Sequence, residues 1–482
     1  MKRLSSLILF IAAGFAFSTV SARQVDITTA REVAAYYFSA ATGAKAPIAD
    51  ELELALQVDN TTLCLPAIYV FNIPGGGWVM TSATDNVEPI LAYSPDGKID
   101  ADNMGANFEF LLGRYQQMVS LNQSNSLATS AEVRQKWQEL EEQTLVGQPD
   151  KSPVLIQTKW GQGDADEPTY NCMCPMDGNK RSITGCVAVA VAQIIKYWDY
   201  PVQGGTSGNM KASTMWNGER LFYDFAQDSN KFDYERMPKK LKYTDSAEVK
   251  RAVGKLFYAV GVVCKMDWSS SSSSASSNNA FLGYTKYFNY DNECRYESFD
   301  NLGQESWITL LRNETRDNAR PVYISGRTVP DEEGESSGHA FIACGVSGND
   351  SNKIYLNLGW DGSENGFYTM NPIADMQQTS AWVFNQDLAM IHHLHPKGTE
   401  GIEETSILTT VPVYPNPASE YVMIPSGLSL CATLAIYSLD GKLVDKAAIP
   451  AGAKEYRLDI SSYPAGTYIY RLNGETGRFV KE

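Results

Sequence analysis

Cys186 follows Gly185 at the head of the run "TGCVAVAVAQIIKYWDYP". A helix N-terminus offers unsatisfied N–H groups and a partial positive charge, and both stabilise a thiolate, the nucleophilic form of cysteine. Residues 187–192 alternate valine and alanine, small enough for such a helix to pack closely on every side, and Trp198, Tyr200 and Pro201 end it. The competing reading is a buried, inert thiol, the commoner fate of a free cysteine. A reactive thiol needs a base that takes its proton and later returns it to a leaving amine, and histidine titrates in the right range. Among the 4 histidines, His339 in "ESSGHAFIACGV" opens an apolar strand behind a polar, glycine-containing loop and suits that part. His392, His393 and His395, in "MIHHLHP", lie at a domain end beside a proline and read as partly exposed packing rather than as a metal site.

Two further segments carry polar side chains of the right kind. "KWGQGDADEPTYN" places Gln162 in a glycine-flanked turn upstream of the cysteine. Its amide and the Cys186 backbone N–H would make a donor pair for a tetrahedral oxyanion; otherwise it is a solvated turn residue. In "YLNLGWDGSENGFYTM", Asn357 comes 18 residues after His339, a separation that lets two adjacent antiparallel strands meet. Asn357 could then hold the second imidazole nitrogen while Trp360 shields that bond from water, or it is an ordinary asparagine at a strand end. Cys172 and Cys174 form a C-x-C pair, but no second pair or neighbouring histidine completes a zinc set. No cofactor and no metal is expected.

The positioning elements follow from periodicity. Residues 26–43 read as a helix capped by Thr28 or Thr29, with Val33, Ala34, Tyr37 and Phe38 at helical spacing. Strands around a glycine turn at Gly75–Gly77 and helices near 107–121 and 129–143 complete a small α+β unit. From about 153 to 397, the Cys186 helix, helices near 246–261 and 304–317, and late antiparallel-type strands predict a two-lobed α+β domain. After a linker at 398–406, short alternating strands with turns between them predict a β-sandwich over 407–482.

The chain as a whole has 482 residues, 43% hydrophobic and 20% charged, which is globular and long enough for several domains. Its net charge of −16 argues against a nucleic-acid partner. Lys2 and Arg3, the apolar run Leu7 to Phe17 and Val20-Ser21-Ala22 predict a signal peptide over 1–22, and no later run has the length of a membrane span. Export and a soluble mature protein follow. With 8 cysteines in so long a chain, a small disulfide scaffold is excluded.

Taken together, "WGQG", "TGCVAVAVAQIIKYWDYP", "MDWSSSSSSASS", "SGHAFIACGV" and "NLGWDGSENGFYTM", in this order, resemble the streptopain family of papain-like cysteine peptidases over about 153–397. The resemblance implies Cys186 as nucleophile, His339 as general base and acid, Gln162 as oxyanion donor, and Asn357 and Trp360 in the segment that supports the histidine. It assigns the Ser/Ala run at 269–277 to a loop lining the substrate cleft, where composition alone suggests a low-complexity linker. Residues 23–150 resemble the family's inhibitory propeptide, and 407–482, with "YPNPASEYV" and "AGTYIYRL", resemble the sorting domain of the type IX secretion system of Bacteroidetes. The implied protein is a secreted or surface endopeptidase, exported through the periplasm of a Gram-negative bacterium as a zymogen. Its partners would be protein or peptide substrates, its own propeptide within residues 23–150 and the type IX machinery. Two features depart from the family. Its supporting segment reads Asn-Trp-Gly-Trp-Gly, whereas this chain has Asn357-Leu358-Gly359-Trp360-Asp361, and the loop "RTVPDEEGESSG" before His339 is long and acidic. Leu358 is the main support for the alternative, a weak or inactive protease-fold binding protein acting as adhesin or inhibitor.

Overall fold

A computed structural model describes residues 22–125, 129–145, 153–204, 210–327, 338–348, 350–370, 386–397, 413–425, 432–438, 443–450, 453–472 and 475–482. The leader up to Ser21, most of the 144–153 linker, the acidic loop before His339 and the 398–406 linker lie outside these residues. Contacts divide the chain into two units, 1–399 and 400–482.

The first unit opens with helix α1 (Ile27–Thr42), whose N-cap is Asp26 rather than a threonine. Thr28 and Thr29 instead donate their backbone N–H groups to Asp26 Oδ1, at 2.9 and 3.0 Å. A carboxylate in that place also meets the positive end of the helix. Strands β1 (Glu53–Asp59), β2 (Pro66–Asn72), β3 (Trp78–Ser82) and β4 (Ile90–Ser94) follow, then α2 (Ala106–Asn125) and α3 (Ala131–Glu141). Strands β2 to β4 are apolar on both faces because both are covered. Tyr69, Phe71, Val79 and Tyr93 pack with α1, whereas Ile68, Val70, Met80 and Ala92 pack with Phe108, Leu111 and Tyr115 of α2.

The peptide then forms a small hairpin, β5 (Met176–Asp177) and β6 (Lys180–Arg181), before α4 (Cys186–Trp198). A second hairpin, β7 (Lys211–Trp216) and β8 (Glu219–Asp224), precedes α5 (Ala247–Val263), α6 (Ser277–Lys286), β9 (Arg295–Ser298) and α7 (Phe299–Arg312). Strands β10 (Val322–Arg327), β11 (Gly338–Val346), β12 (Lys353–Asn357), β13 (Gly366–Thr369) and β14 (Gln386–His392) complete the unit. The β7–β8 hairpin and α6 are absent from the sequence expectations, whereas α7 is kinked at Gly303 (φ 67°, ψ 170°), so that its second part begins where the helix near 304–317 was expected. α4 is buried along its length, from Val187 to Ile195, which is the pattern of a helix covered on all sides.

Ten strands form one antiparallel sheet in the order β1-β2-β3-β4-β13-β12-β11-β10-β14-β9. The sequence divides this unit at about residue 150, yet the sheet runs through that division. Tyr93 and Ala92 of β4 pair with Phe367 and Tyr368 of β13, and the Tyr93 and Phe367 rings stack at 5.1 Å. Ala340, Ile342 and Cys344 of β11 face the cluster that holds α4, α5 and α6. Phe341 and Ala343 face the opposite cluster, with α7 and α2. The helical lobe and the sheet lobe therefore meet at β11.

The second unit has a two-stranded sheet, β15 (Tyr421–Pro425) with β18 (Glu455–Asp459), and a four-stranded sheet in the order β17 (Leu443–Ile449), β16 (Ala432–Ser438), β19 (Gly466–Leu472), β20 (Glu475–Lys481). Val422, Ile424 and Leu458 from one sheet share a core with Leu434, Ile436, Leu472 and Phe479 from the other, so the unit is a β-sandwich.

Asp26 makes a simple test of the first unit. Asp26→Ala in a Cys186→Ala background should lower unfolding free energy by about 1 kcal/mol, read from the urea midpoint at constant slope. An unchanged midpoint would show that the cap contributes nothing to α1.

Candidate active site

Cys186 is the first residue of α4, and Gly185 is its N-cap with φ 83°. A Cβ at Gly185 would lie 2.7 Å from the Ser273 carbonyl oxygen and 3.1 Å from the Met266 sulfur, so both backbone conformation and space require glycine. The half-buried thiol points at the carbonyl of Gly338, with Sγ 4.0 Å from that oxygen. Gly338 precedes His339, so α4 presents its N-terminus to the rim of the sheet where the histidine sits.

Gln162 reaches the same place from the other side. Its carbonyl accepts the Thr184 N–H at 3.0 Å, two residues before the thiol. The serine run is part of this surround and not a linker. Ser273 Oγ donates to Ile183 O at 2.8 Å, Ile183 N–H donates to Ser269 O at 3.0 Å, and Ser270 is tied to Asp177 through backbone and hydroxyl.

Asn357 is placed differently from the sequence expectation. It pairs with Ile342, on the α4 face of the sheet, and alternation puts His339 on the opposite face. The Asn357 amide donates to Thr158 O at 2.8 Å, and it exchanges hydrogen bonds with the Gln193 amide at 3.2 and 3.3 Å. It therefore ties β12 to α4 rather than holding the imidazole. Trp360 is half-buried over Gly105 of the N-terminal region, where a Cβ would fall 2.5 Å from its ring. Leu358 is buried in the sheet-side core.

The start of α2 covers the histidine. The Phe110 ring lies 5.1 Å from the His339 ring. The buried Asn107 donates to Leu358 O at 2.6 Å and to Ala340 O at 3.3 Å, and the Gly105 N–H donates to Glu364 Oε1 at 2.7 Å. These residues escaped the sequence reading, since a polar or aromatic residue in a helix's first turns carries no mark of what it touches. Burial dominates the electrostatics here. It pushes the Cys186 thiol up, against smaller lowering by backbone N–H groups, and it pushes His339 down. Both shifts favour the neutral thiol and neutral imidazole over the ion pair. Glu364 is raised to about 7, first by burial and then by Glu109, with the Gly105 hydrogen bond opposing.

The remaining histidines are more enclosed than expected, for His392 and His395 are buried. Glu314, His392 and His393 bring donor atoms within 4.8 Å of one another. The Glu314 carboxylate is already taken by Arg320, at 3.1 and 3.2 Å, and by the His393 N–H at 2.9 Å. The two Nδ1 atoms lie 2.6 Å apart, close enough to share one proton. A carboxylate neutralised by a guanidinium leaves little charge to hold a divalent cation. Cys172 and Cys174 are free thiols, and burial pushes Cys174, Cys264, Cys294 and Cys344 up to about 12.

A helical lobe that offers a thiol at a helix N-terminus to a sheet lobe with a histidine at its rim is the papain-like arrangement, and it makes the class a cysteine peptidase. A family model described as the peptidase C10 family matches residues 160–368, one for a Spi protease inhibitor matches 22–119, and one for a secretion system C-terminal sorting domain matches 412–482. The chain carries a peptidase C10 domain, that of the streptopain family, together with the inhibitor domain of a zymogen in the same polypeptide. Streptopain of Streptococcus pyogenes is 26% identical over 353 residues, covering 70% of this chain and 81% of its own length. The thiol protease/hemagglutinin PrtT of Porphyromonas gingivalis is 23% identical over 390 residues, covering 78% of this chain and 42% of its own length. In fold, the chain is similar to a fragment of prointerpain A from Prevotella intermedia, with TM-score 0.55 and 21% identity over 72% of this chain and 99% of that one. Among the described residues, no helix is long and apolar enough to cross a membrane.

The contact between Gly105 and Glu364 should depend on pH. The Glu364 proton is held more tightly in this buried contact than by a carboxylate at the ordinary 4.5, so protonation favours the covered state. The contact should be firmest below the ordinary value and weaken as pH rises toward 7. Wild type should therefore self-process several-fold faster, relative to Glu364→Gln, at about pH 7.5 than at about pH 5.5. The ratio removes the pH response of the dyad itself. A flat ratio would show that Glu364 does not sense pH through this contact.

Proposed function

We propose that Cys186, His339 and Gln162 carry the reaction, as nucleophile, general base and acid, and oxyanion donor. The observation that supports this best is the convergence at the α4 N-terminus: Cys186 Sγ 4.0 Å from Gly338 O, beside the histidine, and the Gln162 turn bonded to Thr184. In the reaction, the Cys186 thiol gives its proton to His339 and attacks the peptide carbonyl. The oxyanion forms against the Cys186 N–H and the Gln162 amide. Collapse expels the amine, which takes its proton from His339 and leaves a thioester. Water, deprotonated by His339, then hydrolyses the thioester and restores the thiol. Trp360 shields the histidine side of the cleft. Asn357 acts in this reading through the Gln193 network that seats α4, and not as an imidazole partner.

For the whole chain, the reading is an endopeptidase of protein and peptide substrates, in keeping with its streptopain and thiol protease relatives. Residues 23–150 act as propeptide and 151–397 as peptidase domain, with maturation by cleavage in the 144–153 linker. Activation then requires the start of α2 to leave, which frees the His339 ring from Phe110. The tail, residues 407–482 after the 398–406 linker, addresses the protein to the type IX machinery once the signal peptide over 1–22 has taken it into the periplasm of a Gram-negative cell. The product is released or held at the surface.

Purified wild type should shorten with time and digest a denatured protein. Cys186→Ala and His339→Ala should stay full length, with activity down at least about 10⁴-fold. Shortening of Cys186→Ala in the absence of other proteases would rule out this nucleophile. Phe110→Ala should mature faster than wild type, and an unchanged rate would mean that the ring contact does not hold the histidine.

A further inference from the structure

Asp361 occupies a left-handed backbone conformation, φ 51°, which a residue with a Cβ adopts at a cost. Its carboxylate is tied to the far side of the cleft. Oδ1 accepts the Tyr170 O–H at 2.9 Å, with Lys159 O at 3.3 Å as the weaker alternative acceptor for that proton. The Tyr170 oxygen in turn accepts the Leu241 N–H at 3.1 Å, and Tyr170 is buried. Oδ2 lies over Gly161, where a Cβ would come within 2.6 Å of it, so the carboxylate rests directly on that stretch of backbone. The Asp361 carbonyl accepts the Lys240 ammonium at 2.7 Å, which holds the residue from behind.

Gly161 is the neighbour of Gln162. On the other side, Gly163 abuts the Asn171 side chain, whose Nδ2 donates to Asp164 O at 2.8 Å and to Ser182 O at 3.1 Å. The Gln162 turn is thus gripped at both flanking glycines, by Asn171 and by the Asp361 carboxylate, and Tyr170 next to Asn171 is bonded to that carboxylate.

We propose that Asp361 is a positioning residue for the oxyanion donor, clamping the Gly161–Gly163 turn through its contact with Gly161 and its hydrogen bond from Tyr170, so that the Gln162 amide is aimed before substrate arrives. The proposal rests on the reading of Gln162 as that donor. Loss of the clamp weakens stabilisation of the tetrahedral state and leaves thiol reactivity and substrate binding as they were, because Cys186 is set by α4 and Gly185.

Wild type, Asp361→Ala, Asp361→Asn, Tyr170→Phe and Gln162→Ala, each freed of its N-terminal region at an engineered protease site in the 144–153 linker, separate these roles. Three readouts are needed: kcat and KM on a peptide substrate, affinity for a peptide aldehyde that forms a tetrahedral adduct, and the rate of alkylation by iodoacetamide, which needs no oxyanion donor. For Asp361→Ala and Tyr170→Phe, kcat and aldehyde affinity should fall together by about tenfold or more, with KM and alkylation within about twofold. Asp361→Asn keeps an acceptor for Tyr170 and should retain most of both. Aldehyde affinity unchanged in Asp361→Ala and Tyr170→Phe, while Gln162→Ala loses it, would overturn the proposal and leave Gln162 standing. No loss in Gln162→Ala would overturn the reading of Gln162 itself. Alkylation falling in step with kcat would also overturn the proposal, since the site as a whole would then have been deformed. If Asp361→Ala does not fold, Tyr170→Phe, which removes a single hydroxyl, decides between these outcomes.

Discussion

Gln193 is a fully buried amide on a helix otherwise lined there by valine, alanine and isoleucine, and a buried amide must find its hydrogen bonds within the protein. It accepts from the Thr158 hydroxyl at 2.9 Å and the Trp160 N–H at 3.2 Å, and it exchanges bonds with Asn357. The three segments joined in this way carry Gln162, Cys186 and Trp360. An apolar residue at 193 would let the helix slide against its cover, because dispersion contacts among valines and alanines have little directional preference. One polar group placed where it cannot be solvated therefore sets the register of the site. The α4 N-terminus is thus held from behind by a helix buried from Val187 to Ile195 and tied at Gln193.

The sheet supplies the second constraint. Side chains alternate across a strand, so β11 cannot offer both Ala340 and His339 to the same neighbour. With the N-terminal region in place, the His339 face belongs to α2, and Phe110 occupies the ring. In the proposed reading, inhibition needs no plug in the cleft. One sheet continues from β4 into β13 and sets the N-terminal region against the peptidase domain, with the start of α2 at His339. The hydrogen bonds of Asn107 and Gly105 to Leu358, Ala340 and Glu364 then hold that start in place. Leu358 has a clear role in this state, filling the sheet-side core below α2 and lending its carbonyl to Asn107. Nothing in its surroundings argues that the enzyme has lost activity.

Local pattern made much of this legible. The small residues after Gly185 announced a helix buried on all sides, and the apolar run after Gly338 announced a strand with His339 at its start. The alternating segments after residue 407 announced a sandwich. Other features depend on which segments meet, and periodicity carries no such information. Tyr93 and Phe367 are 274 positions apart, and nothing in either strand says that they pair. Asn357 shows the same limit in a sharper form. Its distance along the chain correctly placed its strand beside that of His339, but the face it occupies depends on a register that spacing alone leaves open. Asp26 took the cap that a threonine was expected to fill, for the reason that an aspartate satisfies two N–H groups and the helix dipole at once. The serine run misled by composition, since its order comes from hydrogen bonds to Ile183 and Asp177 across the chain.

Two opposed effects act on Cys186, and their balance describes what activation has to accomplish. The α4 N-terminus favours the thiolate, yet the largest lowering of the Cys186 pKa comes from the Ala340 backbone across the cleft, with the backbone N–H groups of Val187 and Cys186 after it. Burial opposes them and wins while the site is covered. Burial likewise holds the imidazole neutral, so proton transfer from thiol to imidazole would create two charges in a region with little water. Uncovering His339 changes both sides of that balance: the imidazole gains solvent and can carry charge, and an imidazolium near the thiol stabilises the thiolate in turn. The helix dipole is present in either state. In the proposed reading, the covered enzyme lacks an imidazole turned toward the thiol, since the His339 ring lies against Phe110 on the α2 face; release of that contact lets the ring reorient toward Cys186, and the helix that bears the thiol need not move.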